Sequence, residues 1–208
     1  MAVIAARRRE IQNLIDFEAF EWVRNEDIDP SGKWISSRWE DLSKNDPRKP
    51  PVRSRWVLQE VATYKSDNFF AATPTTMSGR IIDLLAVHNG WPIADADVTT
   101  AFMHAAEEEL IYTAPADGWR RPGWSWRLTK NINGRRTGAQ AWFSHFTSVL
   151  KELGLTATKS DPCMFMCKKR QLYLISPVDD VHGTGPPDEL NNCPRSWAST
   201  SCSPWSRC

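Results

Sequence analysis

Three aspartates, two of them adjacent, are the residues of this sequence whose type and position could do chemistry. Asp97 closes an alternating segment, and Asp179 and Asp180 follow an apolar segment and precede a Gly-Thr-Gly turn. Carboxylates brought close together repel one another, and a pair of divalent cations is the usual compensation. Such a site supports phosphoryl or nucleotidyl transfer. Spacing alone leaves a second interpretation open, because aspartates at strand ends and turns are also ordinary loop residues.

The hydrophobic pattern predicts the elements that carry these residues. Alternation predicts a strand over 93–98 with Asp95 and Asp97 on one face, and a hairpin of 163–167 and 172–178 leads into Asp179. The other predicted elements are helices at 10–23, 81–87 and 138–153, strands at 53–62, 110–113 and 124–128, and a connecting segment rich in Pro, Gly and Asp at 25–52. Helices mixed with antiparallel strands indicate an α+β fold.

Composition excludes several classes of protein. The 208 residues are enough to bury a core, and no apolar run approaches the ~18 residues that a membrane helix needs. Lys and Arg number 26 against 25 for Asp and Glu, so a nucleic-acid partner must be argued from local charge. Five cysteines, an odd number, form no evident disulfide framework. We therefore expect a reducing, intracellular location, in the cytoplasm or nucleus, without a membrane segment.

Charge is segregated along the chain. Residues 81–119 contain seven acidic residues and no Lys or Arg, whereas 118–150 contain six basic residues and no acidic one. The basic block predicts nucleic-acid contact, with intervening tryptophans as stacking surfaces; a solvated surface over core tryptophans is the alternative. The nucleic-acid-binding residues predicted in it are Arg120, Arg121, Arg127, Lys130 and Arg135. The acidic run 107–109 is interpreted as a solvated face.

A zinc site is a further alternative. Cys163 and Cys167, with His182 and Cys193 downstream, have a spacing within the loose range of zinc ligands. Core cysteines are the favoured interpretation, because buried cysteine behaves as a small apolar side chain.

Several strings resemble, in order, the motifs of reverse transcriptases from copia-type LTR retrotransposons. The family's first catalytic motif is similar to ADADVTTAFMHAAEEELIYTAPADGW (94–119), and its Tyr-Val-Asp-Asp motif with a following Thr-Gly is similar to SPVDDVHGTG (176–185). Its Leu-Tyr-Gly-Leu-Lys-Gln-Ala-Pro-Arg element resembles NINGRRTGAQAWF (131–143), and its Asp-Pro-Cys-x-Phe stretch resembles LGLTATKSDPCMFM (153–166). Residues 53–91 resemble its finger segment.

This resemblance implies a right-hand polymerase fold with fingers and palm, an antiparallel sheet packed on helices, and RNA-directed DNA synthesis with two Mg²⁺ ions, or Mn²⁺ in their place. It implies a primed RNA or DNA template and deoxynucleoside triphosphates as partners. Carried over by position, Asp97, Asp179 and Asp180 are catalytic and, with the backbone carbonyl of Val98, bind the metal ions. Phe102, five residues after Asp97, takes the position that excludes a ribose 2′-hydroxyl.

The resemblance also implies a nucleotide-binding set. Arg53 and Arg55 match finger positions that hold the incoming triphosphate. Gly134 and Arg136 fall in the element that positions template and nucleotide, where Arg136 replaces a lysine. Such a change is tolerable for a point-charge phosphate contact but is not neutral where geometry matters.

Two departures from the family shape our expectations. Pro177 stands where the family has a tyrosine, and proline inside a strand removes a ladder donor. After residue 185 the family continues into more palm and a thumb, whereas here the chain becomes rich in Cys, Ser and Trp. We expect an N-terminal helix and connecting segment at 1–52, fingers and palm at 53–185 with the thumb missing, and a disordered or aberrant tail at 186–208. The alternative function is an inactive, truncated retroelement remnant that at most binds nucleic acid.

Overall fold

The computed structural model describes residues 2–43, 50–61 and 72–191 of the chain. Helices and sheets are mixed in this part of the chain, as the sequence predicts. Within these ranges no helix is both long enough and apolar enough to cross a membrane.

Four helices and eleven strands make up the described chain. The helices are α1 (Ala2–Asp16), α2 (Thr76–Asn89), α3 (Gly138–Glu152) and α4 (Pro187–Asn191). The strands are β1 (Phe20–Arg24), β2 (Lys33–Trp34), β3 (Ser37–Ser43), β4 (Val52–Leu58), β5 (Ile93–Asp97), β6 (Ile111–Thr113), β7 (Trp124–Leu128), β8 (Thr156–Ala157), β9 (Met164–Cys167), β10 (Leu172–Ile175) and β11 (Asp180–Thr184).

The described residues fall into two compact units. One is formed by the residues up to 61 together with 102–141, and the other by 72–101 together with 142–191. Each unit therefore combines two separate stretches of chain. The division of the chain at residues 52 and 185 that the sequence suggests stays a prediction.

The first unit contains a four-stranded and a two-stranded sheet. The strand order of the larger is β1-β7-β6-β2, with β2 parallel to β6, and β3 pairs antiparallel with β4. Trp126 of β7 is fully buried at the centre of the core. Its ring stacks on Phe20 with the centroids 4.0 Å apart and meets Trp56 edge-on at 5.2 Å. Aromatic pairs at such distances stabilise the core beyond their buried area.

The second unit is a five-stranded antiparallel sheet with a helix on each face. Its strand order is β5-β11-β10-β9-β8. Successive residues of a strand point to opposite faces. Met164 of β9 packs with Ile82 of α2 and Ile175 of β10, whereas the next residue, Phe165, meets Phe146 of α3 edge-on at 6.1 Å. Helices α2 and α3 therefore cover opposite faces of the sheet.

The N-terminal helix lies earlier in the chain than the sequence predicts. It covers Ala2–Asp16 rather than 10–23; Glu18 adopts a left-handed φ of 51°, and β1 begins at Phe20. The prediction was wrong over 17–23 because Phe20 and Trp22 pack on Trp126 across the sheet. Tertiary packing here overrides an apolar spacing that also fits a helix.

The segment 25–52, predicted as a connection, contains β2 and β3. Strand β3 pairs with β4 over seven residues, with Trp39 opposite Trp56. The prediction was wrong for these strands, because the turn-forming residues mark only the ends of the paired stretch. Residues 44–49 lie outside the described part of the chain.

Other predicted elements are confirmed, although α2 begins five residues before and ends two residues after the helix predicted at 81–87. Strand 124–128 agrees residue for residue, and the predicted helices 81–87 and 138–153 correspond to α2 and α3. Gly90 and Gly154, which follow these two helices, have left-handed φ values of 65° and 80°. Glycine adopts that conformation without a steric cost and so ends a helix readily.

The start of the predicted tail 186–208 is folded. Helix α4 buries Leu190, and the guanidinium of Arg170 donates to the carboxylate of Glu189. The prediction of disorder was therefore wrong for Pro187–Asn191. Its remainder concerns 192–208, which lie outside the described residues.

Asp161 connects the loop before β9 to the start of α2. Its carboxylate is almost fully buried and accepts hydrogen bonds from the backbone N–H of Thr75 at 3.0 Å, the backbone N–H of Cys163 at 2.9 Å and the hydroxyl of Ser78. Burial alone would raise the pKa of Asp161, but these donors outweigh it and lower the pKa. The ionised carboxylate therefore stabilises the junction.

We expect Asp161→Ala to lower the free energy of unfolding by about 2–3 kcal/mol, because three donors, two of them buried, lose a charged acceptor. Urea unfolding measures the effect, and Asp188→Ala, at an exposed position of α4, is the matched control with a change within about 1 kcal/mol.

The effect of Asp161→Ala should depend on pH. A lowered pKa in the folded state means that the carboxylate stabilises the fold above its unfolded pKa of about 3.9 and loses this contribution as the pH falls through the folded pKa. A destabilisation of the same size at neutral and strongly acidic pH would contradict this account.

Candidate active site

The pairing of β5 with β11 brings the aspartates of the two acidic motifs together. Asp97, the last residue of β5, lies directly opposite Asp180, the first residue of β11, and Asp95 lies opposite His182. The backbone N–H of Val98 donates to the backbone carbonyl of Asp179 at 2.7 Å. Residues 82 positions apart in sequence (Asp97 and Asp179) thus meet at one end of one strand pair.

The local sequence of β11 explains this register. Val181 is buried, so the alternation of the strand directs its neighbours Asp180 and His182 to the opposite face. Gly183 lies so close to β10 that a Cβ atom there would be 2.3 Å from Cδ2 of Leu174 and 2.9 Å from the carbonyl oxygen of Tyr173. A glycine at this position lets the two strands pair without a clash.

The turn between β10 and β11 accommodates Pro177. Strand β10 ends at Ile175, three residues earlier than predicted, so the proline lies in a bend and removes no ladder hydrogen bond. The turn is held at Ser176, whose N–H donates to the carbonyl of Cys163 at 3.1 Å, and at Val178, whose carbonyl accepts from the indole N–H of Trp142. The loss of a ladder donor that a proline inside a strand would cause is therefore absent from this hairpin.

Electrostatics at these strand ends fit a cation site. Burial, followed by the charges of Asp179, Asp97 and Asp95, raises the pKa of Asp180. Mutually repelling carboxylates of this kind are what a divalent cation with hard oxygen ligands would compensate. Among the described residues, no three His, Cys, Asp or Glu side chains converge in a metal-holding arrangement. The backbone register therefore places the carboxylate-bearing residues of the two motifs next to one another at the strand ends.

His182 bridges two further carboxylates on the same face of the sheet. Its Nδ1 is 2.6 Å from Oδ1 of Asp95, and its Nε2 is 3.0 Å from Oδ1 of Asp83 in α2. Burial would lower the pKa of His182, but the two carboxylates outweigh it and raise the pKa. Sequence reasoning missed this bridge. Alternation placed Asp95 on the face of Asp97, but no local signal points to Asp83.

The zinc alternative finds no support in the described residues. Cys163 is fully buried and Cys167 half-buried, and both are free thiols. Burial, with the charge of Asp161, raises the pKa of Cys163 to about 11, so the thiolate that binds zinc is disfavoured. Cys193 lies outside the described residues.

The two predicted finger arginines lie on β4 in the first unit. Arg53 is exposed and Arg55 half-buried, and they face Leu42 and Glu40 of β3 in the strand register. Both act on the buried Glu10 of α1: burial raises the pKa of that carboxyl, and the two arginine charges partly oppose the rise. The arginines therefore share one neighbourhood at the surface of β4.

Gly134 and Arg136 are fixed to the end of that same strand. The N–H of Leu58 donates to the carbonyl of Asn133 at 2.8 Å, and the N–H of Arg136 donates to the carboxylate of Glu60 at 2.7 Å. Gly134 has a φ of 92°, and a Cβ atom there would lie 2.0 Å from the carbonyl oxygen of Leu58. Only glycine combines this φ with so close an approach.

Phe102 lies in a single 3-10 turn, Ala101–His104, and is half-buried. Its carbonyl accepts from the N–H of Ala105 at 3.2 Å. The position is compatible with contact to a ligand and with a packing role, and the assignment of Phe102 to nucleotide selection stays a prediction.

The predicted nucleic-acid-binding residues differ in exposure. Arg120, Arg121 and Arg127 are exposed and Lys130 is half-buried. Arg121 stacks over the ring of Trp22, with its guanidinium carbon 4.2 Å from the centroid. Arg120 and Arg127 lie 3.0 and 3.8 Å from carboxylates of the first unit, in exposed ion pairs that hold the side chains weakly.

Arg135 departs from its prediction. Its side chain is wholly buried and forms ion pairs with Glu60 at 2.7 Å, Glu107 at 2.8 Å and Glu109 at 3.6 Å. Desolvation would lower the pKa of this guanidinium, but the glutamates outweigh it and raise the pKa. A buried arginine bound to three glutamates is unavailable to phosphate. For the same reason Glu107, with a 3% exposed side chain, is not the solvated residue that the sequence suggested.

Comparison with known proteins gives a family match over most of the chain. Residues 22–189 match the family described as reverse transcriptase (RNA-dependent DNA polymerase). The chain is 29% identical over 121 residues to the retrovirus-related Pol polyprotein from transposon RE2 of Arabidopsis thaliana, covering 56% of this chain and 8% of that protein.

Two further relatives extend the match. The retrovirus-related Pol polyprotein from transposon TNT 1-94 of Nicotiana tabacum is 29% identical over 161 residues, or 64% of this chain and 12% of that protein. The transposon Ty1-LR2 Gag-Pol polyprotein of Saccharomyces cerevisiae is 25% identical over 188 residues, which cover 86% of this chain and 10% of that protein. The chain thus spans about a tenth of the length of these relatives.

Because Gly134 lies so close to the backbone of Leu58, we expect any side chain at this position to destabilise the fold. We expect Gly134→Ala to lower the free energy of unfolding by about 3 kcal/mol or more, because the new Cβ atom meets the carbonyl oxygen of Leu58. Gly118→Ala is the matched control: its φ of 89° is also left-handed, but a Cβ atom there meets nothing within 4 Å. Urea unfolding of both variants measures the difference. Equal losses would show that backbone conformation, and not the approach to β4, requires Gly134.

Proposed function

Because the chain belongs to the reverse transcriptase family and its relatives are Pol polyproteins of copia-type retrotransposons, we propose that it catalyses RNA-directed DNA synthesis. The observation that carries the proposal is the register that sets Asp97 opposite Asp180. Beside them, the backbone carbonyl of Asp179 accepts a hydrogen bond from the N–H of Val98. Since the chain spans about a tenth of its relatives, the proposal concerns nucleotidyl transfer alone.

We assign Asp97, Asp179 and Asp180, together with the backbone carbonyl of Val98, as the groups that would hold two Mg²⁺ ions. Carboxylate and carbonyl oxygens suit magnesium, and Mn²⁺ is accepted by the same ligand types. Burial and then the repulsion of the neighbouring carboxylates raise the pKa of Asp180, and the repulsion is what a bound cation would relieve. When bound, the ions stabilise charge on the attacking oxygen and on the leaving pyrophosphate.

The substrates in this proposal are a primed RNA or DNA template and a deoxynucleoside triphosphate. The primer 3′ oxygen forms a bond to the α-phosphorus, its proton leaves to solvent, and the bond to pyrophosphate breaks. In the first unit, the side chains of Arg53, Arg55 and Arg136 would bind the triphosphate charge, and Gly134 fixes the segment that carries Arg136 to the strand that carries the other two.

Contact with the nucleic-acid backbone is assigned to the accessible part of the basic block. Its members are Arg120, Arg121, Arg127 and Lys130, and Arg135 is left out because it is buried. Such contacts to phosphate would weaken steeply as the salt concentration rises. The assignment of the first unit to the fingers and of the second, with the acidic strand ends, to the palm belongs to the same proposal.

Asp97→Asn and Asp180→Asn test the proposal directly. Each is expected to reduce the rate of single-nucleotide addition to a primed RNA template by at least about a hundredfold, because each removes a charged ligand. Asp188→Asn, an exposed aspartate of α4, is the control and should retain the rate of the parent. Unfolding midpoints close to that of the parent would separate lost chemistry from lost folding. A parent chain that binds the primed template but adds no nucleotide, with either Mg²⁺ or Mn²⁺, would overturn the proposal.

Phe102 is assigned to exclusion of the ribose 2′-hydroxyl. An aromatic ring below the sugar leaves no volume and no hydrogen-bond partner for that hydroxyl. Phe102→Ala is expected to reduce discrimination against ribonucleotides by about tenfold while deoxynucleotide addition continues. Phe143→Ala, at another half-buried phenylalanine, is the control, and single-nucleotide kinetics measure both. Unchanged discrimination in Phe102→Ala would return this residue to a packing role.

A further inference from the structure

His182 occupies a particular place beside the proposed cation site. It is the second residue after Asp180 on the same face of β11, and it lies directly across from Asp95 on β5. Its two ring nitrogens each lie within hydrogen-bond distance of a carboxylate oxygen, one from Asp95 and one from Asp83 of α2. One side chain thus links two carboxylates that come from different elements.

Asp95 is positioned to compete for the same cations. It precedes Asp97 by two residues on the same face of β5, a separation of about 7 Å along a strand. Aspartate side chains together with a metal ion can span such a gap. The ring of His182 engages Oδ1 of Asp95 at 2.6 Å, and the same ring is anchored at its other nitrogen to Asp83 of α2.

We propose that His182 is a positioning residue that holds Asp95 against Asp83 and so keeps the Asp95 carboxylate out of the cation site. The carboxylate ligands are thereby limited to Asp97, Asp179 and Asp180. This inference rests on the proposed function, because it assumes that cations bind at those strand ends.

A smaller number of carboxylate ligands favours the reaction. A catalytic cation must keep coordination positions open for the primer oxygen and for the phosphates. An additional carboxylate would fill one of those positions and neutralise charge that the reaction uses. Restraint of Asp95 therefore favours turnover over tight metal binding.

A double-mutant cycle of His182→Gln and Asp95→Asn tests the inference by Mn²⁺ titration, followed by electron paramagnetic resonance at one fixed pH and ionic strength. His182→Gln is expected to tighten Mn²⁺ binding by about fivefold, because it releases an anionic oxygen near the site. Asp95→Asn alone should change the affinity by less than about twofold. Asp95→Asn added to His182→Gln should abolish the gain. His88→Gln, an exposed histidine of α2, is the matched control and should leave the affinity unchanged.

If His182 has a purely structural role, His182→Gln will destabilise the fold and leave the Mn²⁺ affinity unchanged or weaker. An unchanged or a weaker Mn²⁺ affinity in His182→Gln therefore overturns the inference. A gain that persists in the double variant also overturns it, because the gain would then not come from Asp95. Asp97→Asn separates the two proposals. If it weakens Mn²⁺ binding while His182→Gln has no effect, the cation site stands and the inference fails. If the parent binds no Mn²⁺, or if Asp97→Asn has no effect, the proposed function fails and the inference fails with it.

Discussion

The antiparallel register of β5 and β11 is the constraint on which the candidate site depends. Because side chains alternate along a strand, a slip of one residue would turn Asp180 to the face on which Val181 is now buried. Burying a carboxylate without a partner is costly, so such a slip is strongly disfavoured. At the far end of the pair, the hydroxyl of Thr184 donates to the carbonyl of Pro92 at 3.0 Å. At the near end, the hydrogen bond between Val98 and Asp179 closes the pairing.

The first unit relies on a different kind of constraint, which is the close approach of backbone to backbone at the end of β4. The hydrogen bond between Leu58 and Asn133 and the space left by Gly134 fix the segment that carries Arg136. The buried Arg135 then binds carboxylates from two other stretches of the chain. Removing one member of such a buried ionic group usually lowers the free energy of unfolding by more than the group contributes to it, because the remaining charges are left unpaired. Arg135 therefore stabilises the conformation of this segment through buried ion pairs.

The elements that could be predicted from the sequence are those whose signal is local. Trp124–Leu128 alternates within its own five residues, and α3 has an apolar stripe and a terminal glycine. The helix predicted over 17–23 was wrong because the spacing of Phe20 also fits a helix, whereas its packing partner Trp126 lies more than a hundred residues away. The meeting of Asp97 with Asp180 followed from the resemblance to a family and not from spacing. The burial of Arg135 and the bridge at His182 had no local signal, since their partners come from distant segments.

Anomalous X-ray scattering from crystals of the chain grown with Mn²⁺ is the measurement that tests the central claim most directly. Our account predicts an anomalous peak within bonding distance of the carboxylate oxygens of Asp97 and of Asp179 or Asp180, with Asp95 still bound to His182. The peak should disappear in Asp97→Asn. A peak elsewhere on the chain, with none at these strand ends at saturating Mn²⁺, would contradict the account.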